Sequence, residues 1–148
     1  MGDIYLENYI SPDTFFQFKI GSPLDLTSFK VEIDYNPIGD NTNAYYFFDR
    51  EVDVEVSTNG GIINSFDILM QNQENHLFLG DSNKRRFNLN NCNAENLKSY
   101  LKINKLKFEI NEEEQVIWIR YFQVLTITFY FDKYSNSTTK LSLIGITK

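Results

Sequence analysis

Two stretches of the chain alternate apolar with polar residues almost without a break. Val52, Val54 and Val56 interleave with Glu51, Asp53 and Glu55, and Leu125, Ile127, Phe129 and Phe131 interleave with Thr126, Thr128 and Tyr130. A period of two belongs to a β-strand with one face buried and the other solvated, so both apolar sets are expected to face a core in antiparallel sheets. Asn59-Gly60-Gly61 follows the first stretch and supplies the positive-φ residues of a tight hairpin, with a return strand expected over 62–68. Ahead of it the pattern predicts a short strand over 15–19, a helix over 23–30, a strand over 44–48 and a strand over 51–57. Between that helix and the strand at 44–48, a variable loop over 34–43 holds Pro37, Gly39 and three Asn. The rest of the chain predicts a strand over 86–89, a helix over 94–102, and strands over 116–121, 124–131 and 140–146. Residues 71–84 join the two parts and include an apolar piece at 76–79.

The two parts resemble each other. A shift of 71 residues places Phe16-Gln17-Phe18 on Phe87-Asn88-Leu89, Ser22 on Asn93, Leu26 on Leu97 and Phe29 on Tyr100. The same shift places Tyr46-Phe47-Phe48 on Ile117-Trp118-Ile119, and Val54 and Val56 on Leu125 and Ile127; the final strands match at a shift of 78 or 79. Ser22 and Asn93 are N-cap residues, whose short side chains accept from the free N–H groups of a first helical turn. Pro23 follows at the first helical position, where a missing N–H costs nothing. Leu26 with Phe29, and Leu97 with Tyr100, are three apart and lie on one face of a short helix. The expected fold class is therefore α+β, a single domain over residues 1–148. Two tandem copies, 14–68 and 85–147, each of a short helix plus a small antiparallel sheet, lie side by side and could share one continuous sheet, with the two helices on its inner face.

Composition narrows the chemistry. The 148 residues suit one domain with a sizeable core, and 13 Phe and 9 Tyr against 7 Gly and 3 Pro favour strands. No apolar run approaches the roughly 18 residues of a membrane span. Asp3 and Glu7 interrupt the first ten residues and no Lys or Arg precedes Lys19, unlike a secretory signal. With one free cysteine, Cys92, a cytoplasmic protein is expected. One Cys and one His exclude a disulfide framework and the usual structural zinc sites, so neither metal nor cofactor is expected. A net charge of −6 argues against nucleic acid as partner.

Charge is unevenly distributed. Residues 1–74 carry 13 acidic and 3 basic residues; residues 75–148 carry 7 acidic and 11 basic. Asp49, Glu51, Asp53 and Glu55 concentrate carboxylates on one strand and the turn before it. Like charges so close repel one another, and a cationic partner would relieve that repulsion and be steered by it. A charged strand that merely resists aggregation is the plainer explanation. Glu112-Glu113-Glu114 reads as a solubilising turn, and Lys84-Arg85-Arg86 and Lys102/Lys105/Lys107 as basic clusters without a nucleic-acid-binding motif.

Catalytic chemistry is weakly represented. His76 is the sole histidine, and Cys92, just ahead of the second helix, is the best available nucleophile. Cys92 aligns with Gly21 in the repeat, as a small linking residue would. Trp118, among strand residues, is a core residue before it is a ligand platform. No Gly-rich loop followed by Lys-Ser/Thr is present to cradle phosphate.

The Phe18-Lys19-Ile20-Gly21-Ser22-Pro23-Leu24 segment, the aromatic-rich short strands, the acidic balance and the Asn-rich composition resemble the small immunity proteins of bacterial polymorphic-toxin systems. The contact-dependent growth-inhibition group is the nearest. The tandem layout also resembles the β-lactamase inhibitory proteins, although a chain with one cysteine cannot share their internal disulfides. The resemblance implies a cytoplasmic, non-enzymatic protein that binds and neutralises a cognate toxin, often a basic nuclease. On that reading Asp49, Glu51, Asp53 and Glu55 form the partner-binding surface, with Tyr45 and Tyr46 as candidate aromatic anchors. The alternative is a small-ligand-binding or scaffold module without catalysis.

Overall fold

The computed structural model describes residues 3–6, 10–11, 14–15, 18–25, 34–37, 42–49, 52–70, 76–80, 86–90, 92–122, 125–133 and 139–148. In chain order the strands are β1 (Asp3–Tyr5), β2 (Ile10–Ser11), β3 (Thr14–Phe15), β4 (Phe18–Lys19), β5 (Asp34–Pro37), β6 (Thr42–Asp49), β7 (Val52–Asn59), β8 (Ile62–Leu69), β9 (His76–Leu79) and β10 (Phe87–Asn88). The helix α1 (Ala94–Ile103) follows, then β11 (Phe108–Glu112), β12 (Val116–Phe122), β13 (Thr126–Lys133) and β14 (Thr139–Thr147).

The hairpin turn forms where its glycines require it. Gly60 and Gly61 take φ of 59° and 80°, and Asn59 pairs directly with Ile62. From this hairpin grows an eight-stranded antiparallel sheet in the order β11-β12-β13-β14-β8-β7-β6-β5. It is two four-stranded meanders, β5–β8 and β11–β14, joined through their last strands. The junction pairs Phe66 with Ile146, Asp67 with Gly145, Ile68 with Ile144 and Leu69 with Leu143. Asp67 and Gly145 are 78 residues apart, and exchanging the two meanders about that pair carries each of its neighbouring pairs onto the other. Each last strand also carries a one-residue bulge at the matching place: Asn64 in β8, opposite the Ser57/Thr58 step, and Ser142 in β14, opposite the Tyr130/Phe131 step. In the middle strands this register equates Val54 with Ile127 and Phe47 with Tyr121, not with Leu125 and Trp118 as the shift of 71 has it.

The inner face is closed. Val54, Val56, Phe66 and Ile68 from one meander and Ile127, Phe129, Phe131, Ile144 and Ile146 from the other are fully buried in a single core. Over the second meander lies α1, against β12 and β14. Its start is as expected: Asn93 accepts from the Asn96 N–H at 2.8 Å, and Leu97 and Leu101 are its buried stripe. Its end is a Schellman closure, with Leu106 N–H donating to Leu101 C=O and Lys105, at φ 56°, donating to Lys102 C=O. Near the first meander, Phe15 and Phe18 of the small β2-β3-β4 sheet pack on Phe66 at 5.1 and 6.2 Å between ring centroids, the first tilted and the second stacked. A second small sheet, β1-β9-β10, buries Leu77, Phe78 and Leu79.

These observations correct the expected α+β class. The protein is predominantly β, with one helix among the described residues. The first helix does not start at Pro23. Pro23 bridges Ile62, and Gly21 N–H to Ile63 C=O, Ile63 N–H to Ser22 C=O and Leu24 N–H to Gly61 C=O lace this segment to β8 as extended chain. Those bonds satisfy the backbone groups that a helical turn would have used, so the cap residue Ser22 has no helix to cap. The remainder of the expected helix, 26–30, lies outside the described residues. The expected loop over 34–43 instead contributes β5 and the start of β6. The strand β11 is a further addition, and β5 and β11 form the two edges. Pro37 at the end of β5 suits an edge, where a ladder donor can be missing. Among the described residues no helix is long and apolar enough to cross a membrane.

Candidate partner-binding surface

In an antiparallel ladder, directly opposed residues share a face. The register therefore draws a lateral row across all eight strands: Asp34, Tyr46, Glu55, Asp67, Gly145, Thr128, Arg120 and Glu109. This row lies on the outer side, opposite the core. Of the residues expected to bind a partner, Glu55 is in the row, Tyr46 takes the position opposite it, and Asp53 occupies the next outer position along β7. Tyr45 takes the position opposite buried Val56, and Asp49 the position opposite Val52, both on the core side of the register. Glu51 lies outside the described residues. The five described residues of the expected six thus divide between the two sides of the sheet.

Asp67 is the residue that sequence reasoning missed. It faces Glu55 directly, and among the described residues no cation pairs with either. Burial first, and the Glu55 charge second, push its carboxyl up from 3.8 to about 6. A signal for this pairing existed. Core residues alternate along β8 as Phe66 and Ile68, but Ile63 precedes Phe66 by three. An odd spacing between two buried residues of one strand requires a bulge. Without Asn64 as the extra residue, the Asn59–Ile62 hairpin would place Glu55 against Phe66; with it, Glu55 meets Asp67.

Gly145 is the bare point of the row. A Cβ there would lie 3.3 Å from Tyr130 Cε2 and 3.4 Å from Asp67 Oδ1, so the tyrosine edge and the carboxylate converge above its backbone. Beside the row, on the same face, Trp118, Tyr130, Leu143 and Leu69 form a second, apolar row in direct register. All four are half-buried, in contrast to the sealed inner face. Arg120 closes the far end: its guanidinium sits 4.5 Å from the Trp118 ring centroid, and its Nε donates to Thr128 Oγ1 at 3.2 Å. Trp118 is thus an outer-face residue and not the core residue expected.

Several of the other candidates have structural partners, and Lys84 and Arg85 lie outside the described residues. Glu112 ends β11 and Glu113 and Glu114 lie in the β11–β12 turn; Lys133 pairs with Glu112 at 3.0 Å and donates to the Glu113 carbonyl. Arg86 lies 4.4 Å from the Phe78 ring centroid and donates to Tyr5 Oη at 3.0 Å. Cys92 is buried, its Sγ donates to Leu89 C=O at 3.4 Å, and burial pushes the thiol up to about 12, so it stays protonated at neutral pH. Among the described residues no group of His, Cys, Asp and Glu is placed to hold a metal ion. No protein-family model, curated protein or solved structure matches the chain.

Proposed function

We propose that this chain is a partner-binding inhibitor, an immunity protein that neutralises a basic bacterial toxin from the cytoplasm and has no catalytic activity of its own. The observation that carries the reading is the facing pair Glu55 and Asp67 on the outer side of the sheet, with Asp53 next along β7 and no cation against the pair among the described residues. Two like charges held face to face cost stability, and a partner's Lys or Arg relieves the cost. The protonated thiol of Cys92 removes support from a thiol-based reaction.

The test is co-purification with the product of the gene immediately upstream, followed by charge reversal. Asp53→Lys with Glu55→Lys is expected to weaken the complex by about a hundredfold or more, through both loss of attraction and introduced repulsion. Unchanged affinity of the double variant removes the acidic face from the interface. Absence of any complex removes the inhibitor assignment.

A further inference from the structure

We infer that the partner engages the middle of the outer face, laying a segment along the Trp118–Tyr130–Leu143–Leu69 row and setting one cationic side chain against Asp67 and the edge of Tyr130, which together cover Gly145. The inference rests on the partner-binding reading and moves the centre of the interface from β6–β7 to the β8–β14 junction.

Three observations support it. The first is an asymmetry that packing does not require. Exchanging the meanders about the Asp67–Gly145 pair carries Trp118, Tyr130, Leu143 and Leu69 onto Ala44, Ser57, Ser65 and Thr147. The same lattice positions thus hold large apolar side chains on one side of the central row and small, mostly hydroxylated ones on the other. Core positions do not diverge in this way: Val54, Val56, Phe66 and Ile68 map onto Ile127, Phe129, Ile144 and Ile146. Among the described residues, a half-exposed row of Trp, Tyr and two Leu on the outer face is a docking feature.

The second is charge. Between Arg120 and Glu55 the central row is polarised, with Arg120 at the Trp118 end and Asp67 and Glu55 at the other, three strand spacings or about 14 Å from Arg120 to Asp67; Glu109 lies beyond Arg120 on the edge strand β11. Such a row fixes the direction of a bound segment. A cation is repelled at Trp118 and drawn to Asp67, where a carboxylate and an aromatic edge already converge.

The third is the neighbourhood of Asp67. Glu55 faces it from β7 and the position of Tyr46 lies beyond. Gly145 faces it from β14, Thr128 and Tyr130 come from β13, and Arg120 belongs to β12, two strands further than Gly145. Arg120 is the sole cation in this set, and Thr128 and Trp118 hold it. The negative charge of Asp67 therefore waits on an outside partner.

Trp118 is the only tryptophan, so its fluorescence reports this face. The probe is a short peptide alternating lysine with leucine, titrated at physiological salt and near-neutral pH, with a glutamate–leucine peptide for comparison. The lysine peptide is expected to shift Trp118 emission saturably. Asp67→Asn and Leu143→Ser are each expected to weaken it about tenfold, whereas Glu114→Gln, which removes a charge at the β11–β12 turn, leaves it unchanged. Both variants alter half-buried outer positions, and thermal melts confirm that they fold. Calorimetric binding that ignores Asp67→Asn and Leu143→Ser overturns this placement while leaving the cationic-partner reading intact. Equal binding of the glutamate peptide, or none of the lysine peptide, also overturns it; the complex with the upstream gene product then tests the broader reading separately.

Discussion

The two meanders of the sheet differ less inside than outside. On the inner face β5–β8 and β11–β14 present apolar residues at matching positions, each with its bulge at the same step. On the outer face the same lattice holds Asp67 against Gly145, Glu55 against Thr128 and Ser57 against Tyr130. The inner positions answer to one shared requirement, the exclusion of water from a continuous core, and a residue of either half that failed it would cost several kcal/mol. The outer positions, though Thr128 and Gly145 among them are buried, are not part of that continuous core, so its requirement does not account for their differences. The contrast teaches where to look for function in a symmetric sheet: at positions where symmetry would be cheap to keep and is not kept.

The comparison can be broken most forcefully in the core. Phe66→Ala and Phe129→Ala each cut one of two matching ladder pairs, Val56–Phe66 and Phe129–Ile144, and both phenylalanines are fully buried. Each is expected to cost about 3–5 kcal/mol in chemical denaturation. If the halves form one cooperative unit, either change lowers a single transition. Two separate transitions would show that the meanders fold independently.

A smaller effect is expected at the centre of symmetry. Gly145→Ala introduces a Cβ at 3.3 Å from the Tyr130 ring, which has to give by a few tenths of an ångström, and at 3.4 Å from Asp67 Oδ1, the limit of ordinary contact. A loss of about 1 kcal/mol in thermal or urea unfolding is expected. No loss would mean that the Tyr130 ring moves away freely and that the bare backbone is not what brings it beside Asp67.

Asp67→Asn sharpens the comparison in the opposite direction. The folded carboxyl titrates near 6, above its ordinary 3.8, so the native state holds its proton more tightly than the unfolded chain. Stability from this group is therefore greatest in acid and declines as pH rises from about 4 to about 6. The variant is expected to gain about 1 kcal/mol near neutral pH, after allowance for partial solvent exposure, and to lose that gain below about pH 4. A gain independent of pH would assign it to packing and not to charge.

The smallest effect is expected on the apolar row. Leu143→Ser gives the second half the residue type found at its counterpart, Ser65, and is expected to cost no more than about 1 kcal/mol because Leu143 is half-exposed. A much larger loss would place this row in the core and remove its availability to a partner.

Much of the fold was legible in the chain. The alternation at 52–56 and 125–131 located two core-facing strands, the Asn59-Gly60-Gly61 turn located the hairpin of β7 with β8, and Asn93 located the start of the helix. The Ser22-Pro23 signal looked equally good and misled, because Ser22 and Leu24 found backbone partners in Ile63 and Gly61. A local cap contributes about 1 kcal/mol, less than several ladder bonds and their packing together. The edge strands β5 and β11 were missed for a related reason: they are short, and their pairing depends on a long-range neighbour more than on their own propensity. Of the candidate surface, the acidic strand was visible, but its division was not. Tyr45 and Asp49 fall on core-side positions because they belong to β6, whose register against β7 alternates the other way.

Composition and alternation by themselves determined that this chain forms antiparallel strands with a water-excluding face and an acidic first half, since burial and charge are properties of the residues alone. Which carboxylates confront each other was decided only in three dimensions. The Asn64 bulge moves β8 by one residue, sets Asp67 rather than Phe66 against Glu55, and the junction with β14 then lays both beside Gly145 and Tyr130. Lateral order in a sheet depends on pairing between distant segments, and a single inserted residue exchanges every face beyond it.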